Sequence, residues 1–233
     1  MEGMNVSVII PALNEELSIG TVVESVINDA HEVVVIDNGS SDDTAKIARE
    51  AGATVVHEPI PGYGRSCLAG VAATTNADIY LFMDGDGADD PADLPLILKP
   101  ILEGHADMVV GSRIAGDVDP GALTLPQQFG NTLACSLMRL FWKGEFTDLG
   151  PFRAIRADAY QRLNMAALTY GWTVEMQVRA LKCGLRNVEV PVHYRRRIGV
   201  SKISGTIRGV VLAGGHILGV IGREAIFSKP SGP

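Results

Sequence analysis

Residues Ile79–Pro91, IYLFMDGDGADDP, set an apolar run directly against a loop in which Asp84, Asp86, Asp89 and Asp90 fall within seven positions. A short, continuous apolar run is the pattern of a strand buried on both faces of a parallel sheet. The acidic residues then stand at the carboxyl end of that strand, where open α/β sheets bind ligands. Like charges this close repel, so a cation or a helix terminus must compensate them.

Outward from this stretch the same grammar repeats. VSVIIP from Val6, EVVVID from Glu32, ATVVHE from Ala53 and Asp107–Gly111 read as further strands. Helical spacing covers Glu15–Asn28 and Ser41–Gly52, the latter with Ser41 as N-cap and Gly52 as C-cap. Arg65–Thr74 and Ala92–Leu102 follow as helices. Repeated strand–helix–strand units predict an α/β fold: a Rossmann-like, mainly parallel sheet flanked by helices. Asp37 and Asp84 then lie on one rim. The second half is less regular. FTDLGPFRAIR from Phe146 is a strand or loop with a polar tip, WTVEMQVRALKCG from Trp172 an amphipathic helix closed by Gly184, and RNVEVPVHYRRR from Arg186 a strand. Ile203–Phe227 is one long helix or two shorter ones.

The 233 residues are 46% hydrophobic and 20% charged, the balance of a globular chain able to bury a large core. A net charge of −7 argues against a general nucleic-acid binder. Cys67, Cys135 and Cys183 are odd in number and widely spaced, as expected for reduced thiols in a cytoplasmic protein. The N-terminus enters a strand without a secretory signature, and VVLAGGHILGVIG from Val210 is short for a membrane span.

Three readings compete for the acidic loop. An EF-hand starting at Asp84 needs Gly where Asp89 stands and Glu where Pro95 stands, and fails. A phosphatase with an aspartyl nucleophile wants a hydroxyl residue where Ala88 stands and a position nearer the N-terminus. A Mg²⁺ or Mn²⁺ ion bridging two carboxylates and a diphosphate fits the spacing. Helix capping accounts for Asp90 ahead of Pro91, but not for Asp84 and Asp86.

VIIPALNEE, VVVIDNGSSDDT, GYGRS, FMDGDGADDP and VGSR occur in the order seen in family 2 glycosyltransferases of GT-A fold. GPFRAIR and RRRIGVSKISG resemble the S-G-F-R and R-x-x-G-x-S-K segments of dolichol- or polyprenol-phosphate mannose and glucose synthases. The resemblance spans about Val6 to Gly205. It implies a glycosyltransferase domain over residues 1–202, with a nucleotide-binding half to about 115 and an acceptor half beyond. A C-terminal helical segment, 203–233, follows, either peripheral to a membrane or packed in an oligomer.

By the same resemblance, Pro11, Ala12, Leu13, Glu15 and Asp37 hold the base and ribose of a GDP- or UDP-hexose, and Gly64, Arg65 and Gly85 line the nucleotide pocket. Asp84 and Asp86 match the D-x-D motif that binds the metal and the diphosphate. Ala88 replaces a Gln common in lipid-phosphate members, leaving Asp89 or water as substitute ligands. Arg113 matches a position near the active site. Arg153 matches the arginine that approaches the acceptor phosphate, and Arg196, Ser201 and Lys202 match the later basic motif. The activity implied is inverting hexosyl transfer to a polyprenyl or dolichyl phosphate, whose oxygen attacks already ionised. The alternative is a soluble transferase acting on a hydroxyl of a small molecule or glycan, which needs Glu175 or Asp148 as general base. A third reading is a nucleotide-sugar-binding module without turnover.

Overall fold

The computed structural model describes residues 3–199 and 207–226, and in the last helix the side chains of 214–226. Strands β1 (Val6–Ala12), β2 (Glu32–Asp37), β3 (Thr54–His57), β4 (Ile79–Phe82), β5 (Met108–Ser112), β6 (Arg153–Arg156) and β7 (Asn187–Pro191) form one sheet. Their order is β3-β2-β1-β4-β6-β5-β7. Every pairing is parallel except those of β6, which runs antiparallel to β4 and to β5. β6 therefore delivers Arg153 to the same sheet edge at which β4 and β5 end, beside Phe82 and Val110.

Helices α1 (Ile19–Val26), α2 (Thr44–Glu50) and α4 (Leu94–Leu102) cover one face. Helices α3 (Tyr63–Ala73), α5 (Leu125–Trp142), α6 (Ala157–Leu163), α7 (Trp172–Lys182) and α8 (Ile207–Ile226) supply the other layer. The period-two alternation of a strand explains the split: in β1, Val8 and Ile10 face one layer and Ile9 the other. Both faces of β1, β2, β4 and β5 are thus buried, and these strands read as nearly unbroken apolar runs.

Several expectations need adjustment. Helix α2 starts at Thr44 rather than Ser41, because the Ser41 N–H is given to Asn14 Oδ1 (2.8 Å) while Asp42 Oδ1 accepts the Thr44 N–H (3.1 Å). The strand expected through the arginines stops at Pro191, and Tyr194 instead makes isolated bridges to Asp89 and Val118. Helix α5 was not anticipated; a capping box between Thr124 and Gln127 starts it, with Pro126 in its first turn. Asp90 does cap, accepting the Ala92 N–H at 2.9 Å. Ser201, Lys202, the helix start expected at Ile203 and its end at Phe227 lie outside the described residues.

Gly70 lets α3 lie close to the sheet: a Cβ there would sit 2.4 Å from Ile9 Cγ2 and 2.7 Å from Ile36 Cδ1. Gly70→Ala should cost about 1–3 kcal/mol of stability through overpacking, more than the helix-propensity gain of up to ~1 kcal/mol returns. Thermal unfolding checks this; an unchanged or raised midpoint refutes the close approach.

Candidate active site

The loop after β4 is built by its own carboxylates. Asp86 Oδ1 accepts the Ala88 N–H (3.0 Å) and Asp89 Oδ2 the Asp84 N–H (3.0 Å), folding the chain tightly around Gly87, whose φ is +75°. Tyr63, from the start of α3, donates its hydroxyl to Asp84 Oδ1 at 3.2 Å. Burial, and then the charge of Asp86, push the Asp84 carboxyl up to about 7 despite Tyr63 and the nearby guanidinium groups of Arg197 and Arg113. Burial and the Asp84 charge push Asp89 well above the usual carboxylate range. The protein leaves this loop short of positive charge.

That deficit, on two adjacent oxygen donors at the mouth of a cleft, fits a hard divalent cation. Among the described residues no group of three His, Cys, Asp or Glu side chains is arranged to hold a metal by itself. An ion held by Asp84 and Asp86 would complete its coordination with substrate oxygens and water, as Mg²⁺ sites commonly do. Asp89, expected as a substitute ligand, is turned inward onto the Asp84 N–H and is 3% exposed. Its carboxylate is thus engaged inside the loop.

Two cavities meet at the acidic pair. The smaller, about 200 Å³, is walled by Pro11, Ala12, Leu13, Glu15, Asn38 and Gly85 at the ends of β1, β2 and β4. Asn38 shapes it, donating to the Glu58 and Ile60 carbonyls and accepting the Gly62 N–H. Asp37 sits just behind this wall, accepting the Ser40 N–H and lying 3.2 Å from His57 Nδ1. Burial opposes its ionisation, but the bonds from Ser40 and His57 hold its carboxyl below the usual value. The larger cavity, about 440 Å³, carries Arg113 and an apolar wall of Phe129, Leu133, Ile217 and Leu218 from α5 and α8. Tyr63, Asp84, Asp86, Tyr170 and Arg197 line both.

Gly64 packs against the loop before α7, where a Cβ would fall 2.1 Å from the Ala167 carbonyl oxygen. Arg65 gives its backbone N–H to the Leu168 carbonyl and, like Gly64, lines neither cavity.

The basic residues also sort differently from expectation. Arg196 donates Nε to the Pro120 carbonyl (2.6 Å) and its N–H to Asp119, away from the cleft. Its neighbour Arg197 spans Asp86 Oδ2 (3.2 Å) and Glu15 Oε1 (2.8 Å). Successive side chains of an extended segment point to opposite sides, so a one-residue offset decides which arginine faces the site. The segment is fixed by two backbone bonds, Arg195 N–H to Ala88 O and Ile198 N–H to Asp86 O, both 2.8 Å.

Arg153 is fully buried and spends its donors on the carbonyls of Leu149, Gly150 and Thr173. Burial lowers its pKa to about 10. It clamps the Thr147–Pro151 loop from behind and does not line the larger cavity. Asp148 is equally buried; it receives Nε and Nη2 of Arg113 in a fork (2.7 Å each) together with the Arg113 N–H. Asp148 aims Arg113, which lies over the Tyr194 ring at 5.0 Å. Glu175 is inaccessible to solvent, accepting the Ala166 and Ala167 N–H groups and pairing with Arg179 and Arg223. Neither candidate base reaches the cleft.

Residues 7–163 match the family model for glycosyl transferase family 2. The chain belongs to glycosyltransferase family 2. An uncharacterised glycosyltransferase of Mycobacterium tuberculosis is 38% identical over 91% of this chain and 96% of its own. The undecaprenyl-phosphate mannosyltransferase of Micrococcus luteus is 31% identical over 88% and 90%. Among solved structures, glucosyl-3-phosphoglycerate synthase from M. tuberculosis, in complex with Mn²⁺, UDP and glucosyl-3-phosphoglycerate, superposes with a TM-score of 0.78 at 22% identity. That match covers 97% of this chain and 82% of the synthase. The transferase thus has a GT-A-like fold.

Tyr63, Asn38, Tyr194 and Arg197 were not singled out by sequence reasoning as site residues, yet they shape the cleft. Tyr63 lay inside the quoted GYGRS, and Arg197 beside the residue chosen.

For Glu175 the expected outcome is structural. Glu175→Ala removes one member of a buried ion pair and should cost about 3–5 kcal/mol of stability. Denaturant unfolding reads this; full stability with a rate loss above a hundredfold would return Glu175 to the chemistry.

Proposed function

We propose that this family 2 transferase moves a hexosyl group from a GDP- or UDP-sugar to a polyprenyl phosphate, with inversion, in the presence of Mg²⁺ or Mn²⁺. The observation that carries the acceptor is the larger cavity. It ends at Asp84, Asp86 and Arg113, is walled by apolar residues of α5 and α8, and among its described lining residues has no carboxylate or imidazole beyond the acidic pair. A hydroxyl acceptor requires a general base within reach, whereas a phosphate oxygen arrives ionised. The M. luteus relative, named for undecaprenyl phosphate, supports the same acceptor.

Each residue then has a task. Pro11, Ala12, Leu13, Glu15 and Asn38 enclose the nucleoside, with Asp37 bracing the wall. Asp84 and Asp86 would hold the ion, which when bound neutralises the departing diphosphate. Tyr63 orients Asp84. Arg113, aimed by Asp148, presents its guanidinium to the acceptor phosphate, for which a planar fork is suited. Residues to about 115 form the donor half and those beyond it the acceptor half.

A bilayer provides the lipid. Phe129 on α5, 71% exposed, and Leu218 on α8 rim the larger cavity, and Leu125, 79% exposed, adjoins Pro126 of its lining. Such a rim suits peripheral contact with a membrane surface. Among the described residues no helix is long and apolar enough to cross one.

The test offers purified enzyme GDP- and UDP-hexoses with polyprenyl phosphate, free polyprenol or 3-phosphoglycerate. Transfer should require the lipid phosphate. Leu125→Glu with Phe129→Glu should raise the KM for lipid phosphate about tenfold or more, since each sets a charge on the exposed apolar rim that the lipid would contact, and leave donor hydrolysis unchanged. Equal kcat/KM with polyprenol or 3-phosphoglycerate overturns the acceptor.

A further inference from the structure

Arg197 is paired with two carboxylates of the donor cleft and lines both cavities. Its guanidinium lies against Asp86, one of the two oxygen donors assigned above to the divalent ion. A guanidinium and a divalent ion in contact with the same carboxylate repel each other strongly at this distance, the more so in a partly buried site. The arrangement therefore suits the protein before the ion arrives and not after.

A second, independent feature points to a ligand. Arg197 Nε is buried and, among the described residues, has no hydrogen-bond partner. Buried donors of a charged group are nearly always satisfied, so this one marks a conformation that awaits an acceptor. The backbone beside it is anchored, by Arg195 to Ala88 and by Ile198 to Asp86, and the Ile198 side chain packs 3.3 Å from where a Gly87 Cβ would stand. The side chain alone can swing while its base stays fixed.

We propose that Arg197 is a displaceable counter-cation: in the nucleotide-free transferase it neutralises Asp86 and Glu15, and it yields that place when a divalent ion enters with a nucleoside diphosphate. The freed guanidinium then donates to phosphate oxygens, Nε included. Metal alone meets a competitor at the acidic pair; metal with diphosphate brings the acceptors that draw the competitor away. Ion and nucleotide consequently bind cooperatively. The inference rests on Asp84 and Asp86 being the ion's ligands, and adds who occupies their field beforehand.

Calorimetry on the whole chain separates the two. Mn²⁺ alone, and then UDP or GDP at saturating Mn²⁺, are titrated into wild type, Arg197→Met, Arg197→Lys and Asp86→Asn. Arg197→Met should bind Mn²⁺ alone at least about tenfold more tightly than wild type, and the nucleotide at least about tenfold more weakly, the scale of one charge-assisted hydrogen bond. Arg197→Lys keeps the charge without the fork and should fall between; it also carries the test if the Met variant does not fold. Unchanged or weaker Mn²⁺ binding in both Arg197 variants, with Mn²⁺-dependent nucleotide binding lost in Asp86→Asn, overturns the counter-cation while leaving the metal ligands standing. Nucleotide binding that stays Mn²⁺-dependent in Asp86→Asn overturns the ligands, and the counter-cation with them.

Discussion

Three carboxyl groups, those of Asp84, Asp86 and Asp89, crowd one tight loop at the end of β4 with less positive charge than they need. Much of the neighbouring structure answers that deficit. Tyr63 gives a hydroxyl, the Asp84 amide goes to Asp89, and Arg197 reaches in from a segment more than a hundred residues further along the chain. Burial holds the Asp84 carboxyl near 7 even so. A loop of this kind is stable enough to fold and unsatisfied enough to bind, which is the combination a site for a cation and a diphosphate requires.

Around the loop the protein is stiff. The Thr147–Pro151 segment is held by Asn131 of α5, Gln177 of α7, Glu189 of β7 and Arg153 of β6, each bonded to its main chain. Asp148 in turn fixes Arg113. Connected hydrogen bonds inside a low-dielectric core rigidify what they join, and here they fix the position of a guanidinium at the larger cavity. Glu175, Arg179, Lys182, Arg223 and Glu224 do the same between α7 and α8, seating the helix that completes the apolar wall.

What the sequence disclosed was local. The buried strands, the D-x-D loop at a strand end and the Asp90 cap follow from periodicity and from side chains that bond within a few residues. The family resemblance added the donor side. What stayed hidden depends on distant parts of the chain. Helix α5 carries Leu125, Phe129 and Leu140 on an exposed face, which blurs the usual amphipathic stripe. The exchange of Arg196 for Arg197 turns on which side of an extended segment meets the acidic loop, and Tyr194 and Ile198 set that only through contacts with Asp89 and Asp86. Arg153, Asp148 and Glu175 look like functional charges in a sequence; only the packed structure shows their partners already inside.

In the proposed mechanism Asp84 and Asp86 together hold a divalent ion against a nucleoside diphosphate. Pulsed electron paramagnetic resonance of Mn²⁺ in the complex with UDP or GDP tests it directly, through the coupling of the ion to phosphorus. Strong ³¹P coupling is expected in wild type, lost in Asp86→Asn and weakened in Asp84→Asn. An identical Mn²⁺ spectrum with nucleotide in all three proteins would contradict it.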